Sequence, residues 1–531
     1  MRKGHFSPEF PYPSQRMPVL ADNVVATSQP LASQAGMEMM VHGGNAVDAA
    51  LAAAIALTVV EPTGNGIGSD AFALVWDGST LHGLNGSGRS PRGWSRKKFQ
   101  ACTRMPELGW DAVTVPGAVD AWYTLWQRFG KLPFARLFQP AIRYAENGFL
   151  VTPVVATLWS EAPQRYAEFG EFNKVFLPGG RPPQAGERFV CRDQAKTLQK
   201  IADSHGEAFY RGEIAHRIAA QANTDGAALS LEDLATHHSE WIDPLLQNYH
   251  GIRLHEIPPN SQGLAALLAL GILQHLNIDR LAADSADSIH LQVEAMKIAF
   301  AEIRRHVADP ITMNIDPRDL LDPTFTAETA EKIRMDRASF PRGAYRVGKG
   351  TVYLTAADDS GLMVSFIQSN YMGFGSGIVI PGTGISLQNR GVGFNLKDGH
   401  PNCVGGGKRP YHTIIPAFVT DEHGNPLLSF GVMGGHMQPQ GHVQMIVRLF
   451  DQGFNPQAAC DAPRWCVLEN YELALEPGFD PKVIEALHRR GHTIVPNPAP
   501  KLFGGAQLIA RLEDGYCAAS DPRKDGQAVG F

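Results

Sequence analysis

The sequence predicts a mixed α/β protein in which sheets lie under helices. Three observations lead there. The chain of 531 residues is long for one core, so two lobes or one large multilayer domain are expected. From Val115 to about Pro310 the apolar pattern is mainly that of helices. At Thr351 the period changes to that of strands rich in β-branched and aromatic residues, and strand-rich sequence flanked by helical sequence points to sheets covered by helices.

Taken in order, Leu31 to Met40 reads as a helix ended by Gly43-Gly44, and Asn45 is a natural N-cap for the alanine-rich helix that follows, so a helical hairpin is expected. The apolar run Ala49 to Val60 stops at Glu61-Pro62 and is shorter than the roughly 20 residues that span a bilayer, so it reads as a buried helix. Gly64-Asn65-Gly66-Ile67-Gly68-Ser69 resembles a phosphate loop, but it follows a helix and not a strand. It is read as a tight turn into a strand over Ala71 to Trp76. Ser288 to Val307 is a packing helix, with Ile289, Val293, Met296, Ile298, Ala299 and Ile303 largely on one side and a stop before Asp309-Pro310. Pro323 to Gly350 is polar and reads as a surface-exposed segment ahead of a processing site. Thr351 to Thr355, the turn Asp358 to Gly361 and Leu362 to Ile367 read as a β-hairpin, with further strands at Leu427 to Gly431, Tyr471 to Leu475 and Ala506 to Leu512.

The formal net charge is -6 with 19% charged residues and no Lys/Arg block, which argues against nucleic acid or an anionic membrane and for a small-molecule partner. Prolines and polar groups break up the first twenty positions before a signal core could form, so the protein reads as cytoplasmic. The six cysteines (Cys102, Cys191, Cys403, Cys460, Cys466, Cys517) are scattered without a C-x-x-C pair, and read as reduced structural thiols. With no H-E-x-x-H, and with His237-His238 facing different ways, neither a metal site nor a cofactor is expected.

The chemistry centres on Gly350-Thr351. A threonine hydroxyl needs a base, and an α-amine with a pKa of roughly 7.7 to 8.0 can serve. An internal threonine has none, so Thr351 gains its base only if the bond after Gly350 is cut. Gly-Thr at the head of a strand is by itself an ordinary strand start.

Its surroundings change that reading. The stretches PLASQAGMEMMVHGGNAVDAALAAAIALTVVEPTGNGIGSDAF, VPGAVDAW, FGKLPFARLFQPAIRYAENGF, PPNSQG and HLQVEAMKIAFAEIRRHVADP come before Thr351. DDSGLMVSFIQSNYMGFGSGI, GKRPYHTIIP, GVMGGHMQPQ and SDPRKDGQAVGF come after it. In this order, over nearly the whole chain, they resemble the γ-glutamyltranspeptidase family of N-terminal-nucleophile (Ntn) hydrolases. The resemblance implies an αββα sandwich made as a precursor that cuts itself into a large subunit, 1–350, and a small subunit, 351–531. The two would fold as one heterodimer, with a dimer of heterodimers left open. It implies Thr351 as nucleophile, Ser369 as the hydroxyl that orients it, and Gly434 and Gly435 as the oxyanion hole of a cycle through an acyl-enzyme.

The substrate pocket departs from the family. Where the family carries Asn-Gln/Glu-Met-Asp-Asp-Phe, this chain has Asn389-Arg390-Gly391-Val392-Gly393-Phe394, so the carboxylate that pairs with a γ-glutamyl ammonium has become Gly393. The family's serine pair is His412-Thr413, its carboxylate-gripping arginine is Ser87 with Arg89 two residues on, and its asparagine after the hydroxyl partner is Tyr371, with Asn370 just before. Arg390, Arg89, His412 and His436 without an acidic partner favour an acyl group that carries a carboxylate and lacks an amine. Tyr371, Phe374 and His412 add volume and favour a small one. The expected reaction is hydrolysis of oxamate to oxalate and ammonia. The alternatives are a γ-glutamyl or glutathione hydrolase or transferase, a glutaryl-type acylase, and an unprocessed binding or scaffold protein.

Overall fold

The computed structural model describes residues 15–340 and 350–531. Two seven-stranded sheets lie face to face. The first runs, in spatial order, Gln527–Gly530, Val24–Thr27, Val352–Ala357, Met363–Ser369, Asp70–Trp76, Leu81–Gly86 and Glu240–Ile242. The second runs Val19–Ala21, Tyr516–Ser520, Gly505–Arg511, Pro426–Met433, Ala417–Asp421, Ile252–Glu256 and Leu245–Tyr249. Every pairing within both sheets is antiparallel. Each sheet takes strands from both sides of Gly350, so a cut there would leave two pieces joined by main-chain hydrogen bonds and a common core.

Strand alternation explains the layers. In Val352–Ala357, the side chains of Val352, Leu354 and Ala356 pack with the helices Pro30–Val41 and Ala46–Val60, while Tyr353 and Ala357 pack against Phe418, Met433 and Ile509 of the second sheet. The outer face of the second sheet is covered by Gly263–Leu273, Ala286–His306 and Met437–Ile446. The order is helix, sheet, sheet, helix.

The helical hairpin forms where expected. Asn45 caps Ala46–Val60 by accepting the Asp48 N–H, and the Asp48 carboxylate accepts the Asn45 N–H in return. All fifteen residues of that helix are buried, which its small alanines permit by letting the sheet and the neighbouring helices approach closely. The hairpin Val352–Ala357 with Met363–Ser369 pairs Val352 with Gln368, which brings Thr351 level with Ser369. The strands Pro426–Met433, Leu473–Leu475 and Gly505–Arg511 also lie where the pattern placed them.

Three expectations are corrected. The stretch read as mainly helical contains the hairpin Leu245–Tyr249 with Ile252–Glu256, turned by His250 and Gly251 at positive φ. Helix Ala286–His306 is buried on more than its apolar side, because His290, Glu294 and Lys297 also face inward. In Pro323 to Gly350, Pro323–Ala330 is a helix capped by Asp322, with Thr326, Thr329 and Ala330 buried, so that part is not a free surface segment. Residues 341–349 of that expectation lie outside the described residues. Among the described residues no helix is long and apolar enough to cross a membrane, and the six cysteines are free thiols.

Candidate active site

Thr351 sits at the mouth of its strand, almost fully buried. Its hydroxyl lies 2.5 Å from the Gly350 carbonyl oxygen and 3.3 Å from Ser369 Oγ. Ser369 donates to the same Gly350 oxygen at 2.9 Å and accepts the Tyr371 N–H at 2.8 Å. Gly350 has φ +110, a region that only glycine enters readily, so the carbonyl is presented by a residue suited to that bend. The hydroxyls of Thr351 and Ser369 thus converge on the Gly350 carbonyl oxygen, which accepts from both.

The glycine turn read as a plain connector is part of this wall. The Gly64 carbonyl accepts the Asn370 N–H at 3.1 Å, and a Cβ at Gly64 would fall 3.1 Å from Thr351 N. Asn370 holds the turn in place by accepting from Ser69 Oγ and donating to Ser386 Oγ and the Phe374 carbonyl. No nucleotide chemistry is needed to explain these glycines.

A cavity of about 890 Å³ opens on Thr351. Gly64, Gly350, Met372, Phe374 and Gly434 line it together with Thr351, and so do charges of both signs, among them Glu61, Arg104, Glu107, Arg165, Glu469 and Lys501. Gly434 follows the strand Pro426–Met433 with φ +116. Gly435 is not among the lining residues; its carbonyl accepts from Gln262 Nε2 at 2.9 Å.

Of the other residues singled out in the sequence, Arg390, Thr413 and Tyr371 come together. Arg390 is 1% exposed; its Nη1 donates to Thr413 Oγ1 at 2.7 Å, and its guanidinium carbon lies 4.7 Å from the Tyr371 ring centre. Its Nε and Nη2 have no hydrogen-bond partner among the described residues. Burial pulls the guanidinium down to about 10, against the opposing influence of Asp70.

The two histidines and Arg89 play other parts. His412 is fully buried, donating from Nε2 to Asp70 Oδ2 at 3.0 Å, and burial holds its pKa well below the usual value. His436 is buried with Nδ1 3.1 Å from Gln262 Oε1, and burial lowers it to about 3. In both, burial disfavours the positive charge expected of them. Arg89 pairs with Asp309 at 2.9 Å and Glu240 at 3.4 Å and is not a cavity residue.

An acid missed in the sequence reading is Asp70, fully buried, its carboxyl pushed up to about 7 by burial against the pull of Arg390 and the Gly117 N–H. This carboxyl lies with His412 and Arg390 and is not among the residues that line the cavity. At Gly393 a Cβ would fall 2.2 Å from the Tyr411 carbonyl oxygen, so no side chain fits there without moving the backbone. That makes the loss of the carboxylate at this place a built feature.

One His/Glu group among the described residues, His290, Glu294 and His492, is tight enough to share a cation. Lys297 Nζ already sits 2.8 Å from Glu294 Oε1 and 3.5 Å from His492 Nδ1, so an ammonium supplies the positive charge there.

The family model described as gamma-glutamyltranspeptidase matches residues 32–531. A glutathione hydrolase-like YwrD proenzyme of Bacillus subtilis is 37% identical over 96% of this chain and 98% of its own. An oxamate amidohydrolase proenzyme of Klebsiella pneumoniae is 34% identical over 94% of this chain and 97% of its own. A crystal structure of a cephalosporin acylase from Bacillus halodurans superposes with a TM-score of 0.95 at 46% identity, covering 99% of both chains.

Proposed function

The chain belongs to the γ-glutamyltranspeptidase family of amide-bond hydrolases with the Ntn αββα fold, and we propose that it cuts itself before Thr351 and then hydrolyses the amide of a small acyl group ending in a carboxylate, oxamate being the best fit. In the first step Thr351 Oγ attacks the Gly350 carbonyl carbon, the C–N bond gives way to an ester, and the hydroxyl proton passes to the departing nitrogen. Water resolves the ester, leaving a carboxylate on Gly350 and a free α-amine on Thr351. That amine then takes the hydroxyl proton as Thr351 attacks the substrate amide, with the backbone N–H groups of Gly434 and Gly435 as donors to the oxyanion. The amine part leaves with a proton, and water releases the acid.

The observation that carries the substrate class is the free edge of Arg390. Thr413 occupies Nη1 and the Tyr371 ring covers the guanidinium face, while Nε and Nη2, the edge that grips a carboxylate with two parallel bonds, are buried and have no partner among the described residues. A Cβ at Gly393 would meet the Tyr411 carbonyl oxygen, so the acid that would pair with an acyl ammonium has no room at that place. One observation favours a second reading in which the leaving amine is large, as a cephalosporin acylase would need: about 890 Å³ opens on Thr351, far more than ammonia fills.

Intact-mass measurement should show pieces that end at Gly350 and begin at Thr351, and Thr351→Ala should remain one inactive chain. Matured enzyme should release ammonia from oxamate, and Arg390→Met should lose that activity. Rapid turnover of γ-glutamyl-p-nitroanilide with none of oxamate would overturn the reading. Turnover of glutaryl-p-nitroanilide above oxamate would favour the second.

A further inference from the structure

We propose that Tyr371 is the residue that sets acyl-chain length: its ring packs on Arg390 beside the Ser369 corner and takes up the room there, so the site accepts only the shortest dicarboxylic monoamides until that ring is removed. This rests on the reading of Arg390 as the carboxylate fork.

The backbone of Tyr371 is tied to the catalytic corner. Its N–H donates to Ser369 Oγ at 2.8 Å, and Ser369 Oγ is itself 3.3 Å from the Thr351 hydroxyl. The ring of the same residue reaches the guanidinium of Arg390, 4.7 Å away from its centre. One residue therefore ties the Ser369 corner, through its backbone, to the fork, through its ring. Met372, Gly373 and Phe374, which follow it, line the open cavity, whereas Arg390 and Tyr371 do not. The ring packs with Ala112, Met372 and Val392 on the enclosed side, and Tyr371 is 5% exposed. Burial, opposed by Arg390 and aided by Glu107 and Glu469, pushes the phenol up to about 12, which favours its neutral form.

The backbone supports a role for this side chain. Tyr371 has φ +77, a conformation that disfavours any residue with a Cβ and that glycine or asparagine adopts readily. A bulky aromatic kept there against its local preference is held by its surroundings, and such outliers gather where they serve a site. The same fact makes the test clean, because Tyr371→Gly and Tyr371→Asn suit the backbone better than the native residue and keep the N–H that Ser369 accepts.

The experiment compares oxamate, malonamate, succinamate and glutaramate on matured wild type, Tyr371→Gly, Tyr371→Asn and Tyr371→Phe. The kcat/KM ratio of glutaramate to oxamate should rise at least tenfold in the Gly and Asn variants and stay within about twofold in Phe, which keeps the ring. Arg390→Met placed on Tyr371→Gly should abolish the gain, since the fork holds the carboxylate of the longer chain as it does that of oxamate. A ratio unmoved by Tyr371→Gly, or moved equally by Tyr371→Phe, would overturn the proposal. Calorimetry with the product dianions oxalate and glutarate separates this idea from the substrate reading. If wild type turns over none of the monoamides, that reading falls, yet glutarate should still bind Tyr371→Gly at least tenfold more tightly than wild type. If glutarate binding does not change, the chain-length role falls with it.

Discussion

Removing the Ser369 hydroxyl should slow self-cleavage far more than it weakens the fold. In the uncut chain this hydroxyl donates to the Gly350 oxygen at 2.9 Å, the atom on which negative charge develops when Thr351 attacks, and it accepts the Thr351 hydroxyl at 3.3 Å. Loss of one oxyanion donor costs about 2.7–4 kcal/mol of transition-state stabilisation, or roughly 10²–10³ in rate. Ser369→Ala also strands the buried Tyr371 N–H, whose partner is lost, at about 1–3 kcal/mol of stability. A fold held by about 5–15 kcal/mol survives that. The assay is a time course of freshly purified protein on denaturing gels and by intact mass, with a urea midpoint as the control for folding. Ser369→Thr retains an oxygen at the same place and should mature faster than Ser369→Ala. Maturation of Ser369→Ala at the wild-type rate, in a protein of near-native midpoint, would refute the assignment of this donor.

Gly434→Ala should lower kcat by roughly 10²–10³ with little change in KM. At φ +116 a Cβ would be strained and would lie 3.1 Å from Gly504 Cα and 3.2 Å from Met437 Cβ, which shifts the N–H; unchanged kcat would exclude Gly434 from the oxyanion hole. Lys297→Met breaks a buried pair with Glu294, their side chains 0% and 1% exposed, and should cost about 3–5 kcal/mol in urea unfolding, partly restored by adding Glu294→Gln. Asp70 gives a pH signature. Its carboxyl is raised from 3.8 to about 7 in the fold, so the folded state holds a proton that the unfolded state has released. The associated stability is complete below about pH 4 and is lost as pH rises through about 7. The urea midpoint of wild type should therefore fall between pH 5 and 8 by more than that of Asp70→Asn; equal slopes would show that Asp70 does not titrate in that window.

Much of the scaffold could be read from sequence because its signals are local. The Asn45 cap, the period of Val352–Ala357 and the turn after it need only neighbouring residues, and each stands where the pattern put it. The hairpin at Leu245–Glu256 was harder, because its alternation is short and lies among helices; His250-Gly251 was the available sign. The Gly64 turn was recognised as a turn but not as a wall of the site, since its contact with Thr351 bridges nearly the length of the large subunit. Asp70 gave no local sign at all: its weight comes from Arg390 and His412, both brought to it from beyond Thr351.

By itself the sequence determined the order of the elements and placed Gly350-Thr351 at the head of a strand, and its motifs carried the resemblance to a family of amide hydrolases. Those are properties of short-range propensity and of ordered segments along the chain. Only the tertiary structure decided which charges face one another. It buried His412 and His436 where the charged imidazole is disfavoured, drew Arg89 to Asp309 and Glu240, and left one edge of Arg390 without a partner among the described residues, beside Tyr371. Charge and hydrogen bonding depend on burial and on partners remote in sequence, and those exist only once the two sheets have closed on each other.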